Sequence, residues 1–173
     1  MKTLAKVAVV AGCAALAWTA GSGVSQAATA QANTSATVVL PVTISKATDL
    51  NFGRFMSGAS GGTVVVSTGN AQSVTGGVTT TGVLGSTAAA AEFTIAGEAA
   101  STYAVTFPAQ TNLVNGGNSM TIGSFTTAIT SGGSLGTFAG GDETLAVGAT
   151  LTVGANQASG TYSGTIDVAV NYN

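Results

Sequence analysis

Hydrophobic and polar residues alternate along this chain with a period of two. The clearest instance is Thr161–Tyr172. There Ile166, Val168, Val170 and Tyr172 fall on one side, and Asp167, Ala169 and Asn171 on the other. Alternation with β-branched and aromatic residues predicts a strand. Runs of the same kind are Thr37–Ser45, Leu50–Phe55, Thr63–Thr68, Gln72–Thr81, Ala91–Ala96, Thr102–Pro108, Ser119–Thr130 and Thr144–Val153. Glycine pairs at Gly61-Gly62, Gly76-Gly77, Gly116-Gly117, Gly132-Gly133 and Gly140-Gly141 punctuate them as turns. No window carries a helical period. Ala88–Ala91 favours helix by propensity, but it is too short to stand alone and runs straight into Glu92-Phe93-Thr94-Ile95. The pattern predicts an all-β fold, an immunoglobulin-like β-sandwich, with a closed barrel as the alternative. No sequence repeat of fixed period supports a solenoid.

The N-terminus follows a different rule. Lys2 and Lys6 precede an apolar run, Val7–Ala20, and Ser25-Gln26-Ala27 or Ala28-Thr29-Ala30 offers small residues for cleavage. This predicts a cleaved export signal over residues 1–27. The run is too short to span a membrane comfortably. Val10-Ala11-Gly12-Cys13 resembles a lipobox, which makes a lipoprotein signal the rival. The very short run before Cys13, and its continuation to Trp18, favour the ordinary signal. Cleavage removes Cys13, the only cysteine, so the mature chain is expected to hold no disulfide in a compartment that permits them.

Charge is sparse. After cleavage Lys46 and Arg54 face six acids, Asp49, Glu92, Glu98, Asp142, Glu143 and Asp167, a formal charge near −4. No basic patch exists to neutralise phosphates, which argues against nucleic acid as a partner. Such a surface also sets little repulsion against self-association.

Residues 28–36 are small and polar and read as a flexible arm. Beyond them Val38, Leu40, Val42 and Ile44 take one face, while Val39, Pro41, Thr43 and Ser45 are mixed. Pro41 lacks an N–H and fits an edge strand or a break between arm and domain. Three segments result: the signal over 1–27, an arm or donor strand over 28–44, and a β-sandwich domain over 45–173.

Groups for catalysis are scarce. The chain has no histidine, the commonest general base and metal ligand. A serine nucleophile needs a base, and only Lys46 could serve; its neighbour Asp49 suggests a surface pair instead. Glu92 and Glu98 flank one apolar strand and read as solvated strand ends rather than a catalytic carboxylate pair. Gly140-Gly141-Asp142-Glu143 lacks the spacing of a calcium loop and reads as a turn. Ser57–Gly62 lacks the lysine of a phosphate-binding loop. Phe52, Phe93, Tyr103, Phe107, Phe125 and Tyr162 each sit in an expected strand, where core packing is the default. No catalytic residue, cofactor or metal site is expected, and the chain is not expected to be an enzyme.

Asp49-Leu50-Asn51-Phe52-Gly53, Gly61-Gly62-Thr63-Val64, Ala91-Glu92-Phe93-Thr94-Ile95-Ala96-Gly97, Val147-Gly148-Ala149-Thr150-Leu151 and Gly160-Thr161-Tyr162-Ser163-Gly164 occur in this order. The array, from about Val38 to Asn173, resembles a family of exported bacterial proteins defined only as a domain of unknown function. That family looks like a relative of the spore-coat-U-like subunits of archaic chaperone–usher pili. The shared features are architecture and a Tyr-Ser-Gly…Val-Asn-Tyr ending. The absence of a structural disulfide departs from the spore-coat-U-like pattern. The resemblance implies an immunoglobulin-like subunit that lacks one strand and exposes an apolar groove. A periplasmic chaperone fills the groove first, and the arm of the next subunit replaces it at an outer-membrane usher. Carried onto this chain, Ile166, Val168, Val170 and Tyr172 would form the groove edge that meets the chaperone. The arm, within residues 28–44, would be the donor.

Two placements of the donor stay open. Either Val38, Leu40, Val42 and Ile44 are the donor and the domain begins near Leu50, or they form the domain's own first strand and the arm is Ala28–Ala36. The leading expectation is a homopolymeric pilus or fibre subunit, exported through the periplasm to the cell surface. The alternative is a self-complete, monomeric surface or matrix β-sandwich, with carbohydrate binding as an option.

Overall fold

The computed structural model describes residues 27–80 and 87–173. The expected export signal, apart from Ala27, lies outside the described residues. The chain divides into two units, Met1–Thr37 and Val38–Asn173. The described part of the first, residues 27–37, is exposed and belongs to no helix or strand.

The second unit is all-β and antiparallel. Its strands are β1 (Thr43–Thr48), β2 (Met56–Val66), β3 (Gln72–Thr79), β4 (Ala91–Ala96), β5 (Tyr103–Thr106), β6 (Gln110–Asn115), β7 (Asn118–Ser131), β8 (Glu143–Val153) and β9 (Ala169–Tyr172). Seven of them form one sheet, and β5 and β9 pair as a second. The two sheets share an apolar core, the arrangement of a β-sandwich. Among the described residues no helix is long and apolar enough to cross a membrane.

Strand β8 organises the large sheet. β7 pairs along it from Thr144 to Thr152. On its other edge β4 takes Glu143–Val147 and β2 takes Ala149–Val153, so the sheet forks at Gly148. Leu145, Val147, Ala149, Leu151 and Val153 all point inward and are buried. A Cβ on Gly148 would lie 2.4 Å from the Val66 carbonyl oxygen and 2.8 Å from Thr126 Oγ1, so the fork needs a glycine.

Two apolar clusters lie beneath the fork. The first joins Phe52, Val64, Val66, Val78, Met120, Ile122 and Leu151. The second joins Phe93, Ile95, Leu145 and Val147 of the large sheet to Tyr103 and Val170 of the small one, with Phe138 between. Tyr103 and Phe138 rings lie 4.3 Å apart.

The expected strand Ala91–Ala96 coincides with β4, and Thr144–Val153 falls one residue short of β8. Others differ: the expected Thr37–Ser45 becomes strand only from Thr43, as β1 (Thr43–Thr48), and the expected Thr63–Thr68 overlaps only the end of β2, which begins at Met56. β6 was not expected, because Gln110–Asn115 carries polar residues at both faces; it forms as a hairpin partner of β7 across Gly116-Gly117, with Gly116 left-handed at φ 59°. Leu50–Phe55 makes only an isolated bridge, Asn51 to Ala89. Of Thr161–Tyr172, only Ala169–Tyr172 is strand; the part before it holds one bridge, Ser163 to Val114, and inserts Tyr162 and Ile166 into the core.

Two predictions follow from this packing. Gly148→Ala is expected to cost at least about 1–3 kcal/mol, because neither the Val66 carbonyl nor β7 can withdraw without breaking a ladder; urea unfolding reads the shift in midpoint. Burial raises the Tyr103 phenol pKa above its ordinary 10.0, and the nearby Glu143 charge adds to it. The folded state therefore holds this proton more tightly than the unfolded chain. That stability is present below the unfolded pKa of about 10 and is lost as pH rises through the folded value. Thermal melts in alkaline buffer are expected to show a loss that Tyr103→Phe reduces.

Candidate strand-accepting groove

A groove of about 1140 Å³ opens between two backbone segments. One wall is Leu50–Ser57 and the other Gln157–Ile166. Its floor holds Phe93, Leu113, Met120, Ile122 and Leu151, so it cuts down to the core clusters.

Each wall has a physical cause. Asn51 exchanges backbone bonds with Ala89 at 2.8 Å each way, and its side chain accepts from the Gly53 N–H, which turns the chain at φ 74°. Phe52 is thereby driven into the core, and its carbonyl accepts from Gln72 Nε2 at 2.6 Å. On the other side, Ser163 and Val114 exchange backbone bonds at 2.9 and 3.1 Å, which ties that wall to β6. Gln157 braces its upper end: Nε2 donates to the Tyr162 hydroxyl at 2.8 Å and to the Ser119 carbonyl at 3.3 Å. The Tyr162 hydroxyl donates in turn to the Ala158 carbonyl at 2.9 Å. Apart from the bridges at Asn51 and Ser163, Leu50–Phe55 and Thr161–Val168 belong to no β-ladder.

Of the four expected groove-edge residues, only Ile166 lines the groove. Val168 and Tyr172 pack on the second cluster, and Val170 is buried opposite Val105 in the β5–β9 ladder. The alternation is respected, since Asp167, Ala169 and Asn171 are all exposed. The second wall was missed as a wall because Gln157–Gly164 carries no apolar alternation.

The four expected donor residues separate as well. Val38 is 96% exposed and Leu40 61%. Val42 packs on the second cluster, and Ile44 sits in β1 opposite Ile95 of β4 in the same chain. Leu40 is held by its backbone. Its N–H donates to Glu98 Oε2 at 3.1 Å, and its carbonyl accepts from the Tyr172 hydroxyl at 2.7 Å. That hydroxyl also accepts the Glu98 N–H at 2.6 Å. Glu98 thus has a partner that sequence spacing did not indicate.

The remaining candidates do not converge. Lys46 pairs with Asp49 at 2.6 Å on an exposed surface, where such a bond contributes little. Glu143 is buried and accepts from the Ala139 N–H. Among the described residues no three His, Cys, Asp or Glu side chains cluster to hold a metal. Phe107 and Phe125 stack at 5.1 Å, each packed on the core.

Residues 42–172 match the profile of a family described as a domain of unknown function, DUF4402. No curated protein and no solved structure matches the chain.

The bracing of the second wall is testable. Gln157→Ala removes the bonds to Tyr162 and Ser119 and is expected to cost about 1–2 kcal/mol. Hydrogen exchange at the Val114 and Ser163 amides should quicken, while β8 amides stay protected.

Proposed function

We propose that this chain, which belongs to the DUF4402 family, is a structural subunit of a cell-surface pilus or fibre that polymerises by donor-strand exchange. The observation that carries this reading is the groove. Its floor is apolar, and the Leu50–Phe55 and Thr161–Ile166 parts of its walls have almost no ladder of their own, the form expected of a sheet that accepts a strand from outside. An added strand supplies backbone hydrogen bonds, and its alternate side chains fill the groove. Each fully buried aliphatic side chain adds about 1.5–3 kcal/mol gross, offset in part by ordering the arm.

The contact is head-to-tail: a groove on one copy meets an arm on another. It propagates instead of closing. Two cations and six acids on the mature chain set little charge against it. In this reading the partners are other copies, with a periplasmic chaperone covering the groove before an outer-membrane usher receives the subunit. The role is structural, with no catalytic step.

Full-length protein expressed with its export signal tests the proposal. Run unboiled in detergent, surface material should give a ladder of multimers that collapses to monomer on boiling. Thr161→Asp, which places a charge at an exposed position of the groove wall, should shorten the ladder while the monomer stays folded by circular dichroism. A single monomer band from the unaltered chain would sink the fibre reading and favour a self-complete sandwich.

A further inference from the structure

We infer that the segment handed to another copy's groove lies wholly before Leu40, over residues 28–38. Glu98 and Tyr172 form the stop that keeps residues 40–48 in their own domain. The inference rests on the fibre reading above and identifies its donor.

Residues 40–48 are already committed in cis. Thr43–Lys46 and Thr48 pair with β4, opposite Ala96, Ile95, Thr94, Phe93 and Glu92. Val42 is packed on the second cluster. Leu40 has both backbone groups bonded, the N–H to the Glu98 carboxylate and the carbonyl to the Tyr172 hydroxyl. Glu98 and Tyr172 are themselves joined by the 2.6 Å bond from the Glu98 N–H, so the two halves of the clamp hold each other in place. A donor that included Val42 and Ile44 would have to break the clamp, the β1–β4 ladder and an apolar contact before it gained anything in trans.

Residues 28–38 have no such commitments. They are exposed and outside every ladder. They also carry their own period of two. Ala28, Ala30, Ala32, Ala36 and Val38 share one face, interrupted only by Thr34, whereas every odd position from Thr29 to Thr37 is polar. Eleven residues reach roughly 36 Å when extended, a full strand's length. The groove floor already holds large side chains, Phe93, Met120, Ile122 and Leu151 among them. A donor with small inward side chains therefore lets its backbone approach the walls closely.

A disulfide lock separates the alternatives. Ser45 and Thr94 are directly opposed in the β1–β4 ladder, and opposed antiparallel residues lie within the span a disulfide tolerates. The expected mature chain has no cysteine to interfere. The Ser45→Cys, Thr94→Cys protein, once oxidised, should give the same multimer ladder as its reduced form and as the unaltered chain. A ladder that disappears on oxidation and returns on reduction would show that the donor extends into β1, and would overturn the inference while leaving the fibre reading intact. If the unaltered chain forms no ladder, the fibre reading fails, and this inference with it. The clamp has a separate readout in the full-length protein. Glu98→Ala with Tyr172→Phe should speed hydrogen exchange at the Leu40 amide about tenfold, with β8 unchanged. Unchanged exchange at Leu40 would remove the clamp as the stop.

Discussion

The fold depends on β8 being paired along both edges while one edge changes partner at Gly148. β7 runs beside it almost end to end, but β4 and β2 each take only half. The strands on the forked side cannot form one continuous ladder, and the apolar floor divides into two clusters, one under each branch. Phe125 and Ile166 belong to the edges of both clusters, so the branches are stitched by a few side chains rather than by backbone. Close approach at the fork is possible only because position 148 has no side chain.

The groove is the consequence at the open face. Sheet cores are normally closed by a second sheet that covers their length. Here β5 and β9 are four residues each, and they cover only the second cluster. Over the first cluster the chain passes as two largely unpaired walls with a gap between them. The terminal segment illustrates the change: it is wall at Gln157–Ile166 and becomes ladder only at Ala169. Pairing stops where the groove begins.

Much of this was legible in the residues, and the failures have physical reasons. The strands buried on the inner face, β4 and β8, were readable because burial imposes alternation on them. β6 was not, because it is an edge whose polar positions face water on one side and a thin wall on the other. The Leu50–Phe55 run looked like a strand because Leu50, Phe52 and Phe55 are apolar; in fact Phe52 is turned inward by a local Asn51–Gly53 bond, which needs no partner strand. The clamp on Leu40 was invisible to spacing. It uses a backbone N–H and carbonyl, which every residue other than proline carries, and joins residues 58 and 132 positions apart.

Alternation alone could not decide which part of the apolar N-terminal stretch belongs to the domain. A period of two says that a strand has one apolar face; it is silent on which sheet the strand enters. Val38, Leu40, Val42 and Ile44 share that face, yet their exposure falls from 96% at Val38 to 37% at Ile44. The drop coincides with the onset of specific bonds: a backbone clamp at Leu40 and registered pairing from Thr43 onward. With almost no charge in the segment, long-range electrostatics cannot set this boundary. It is set by hydrogen bonds that hold the chain residue by residue.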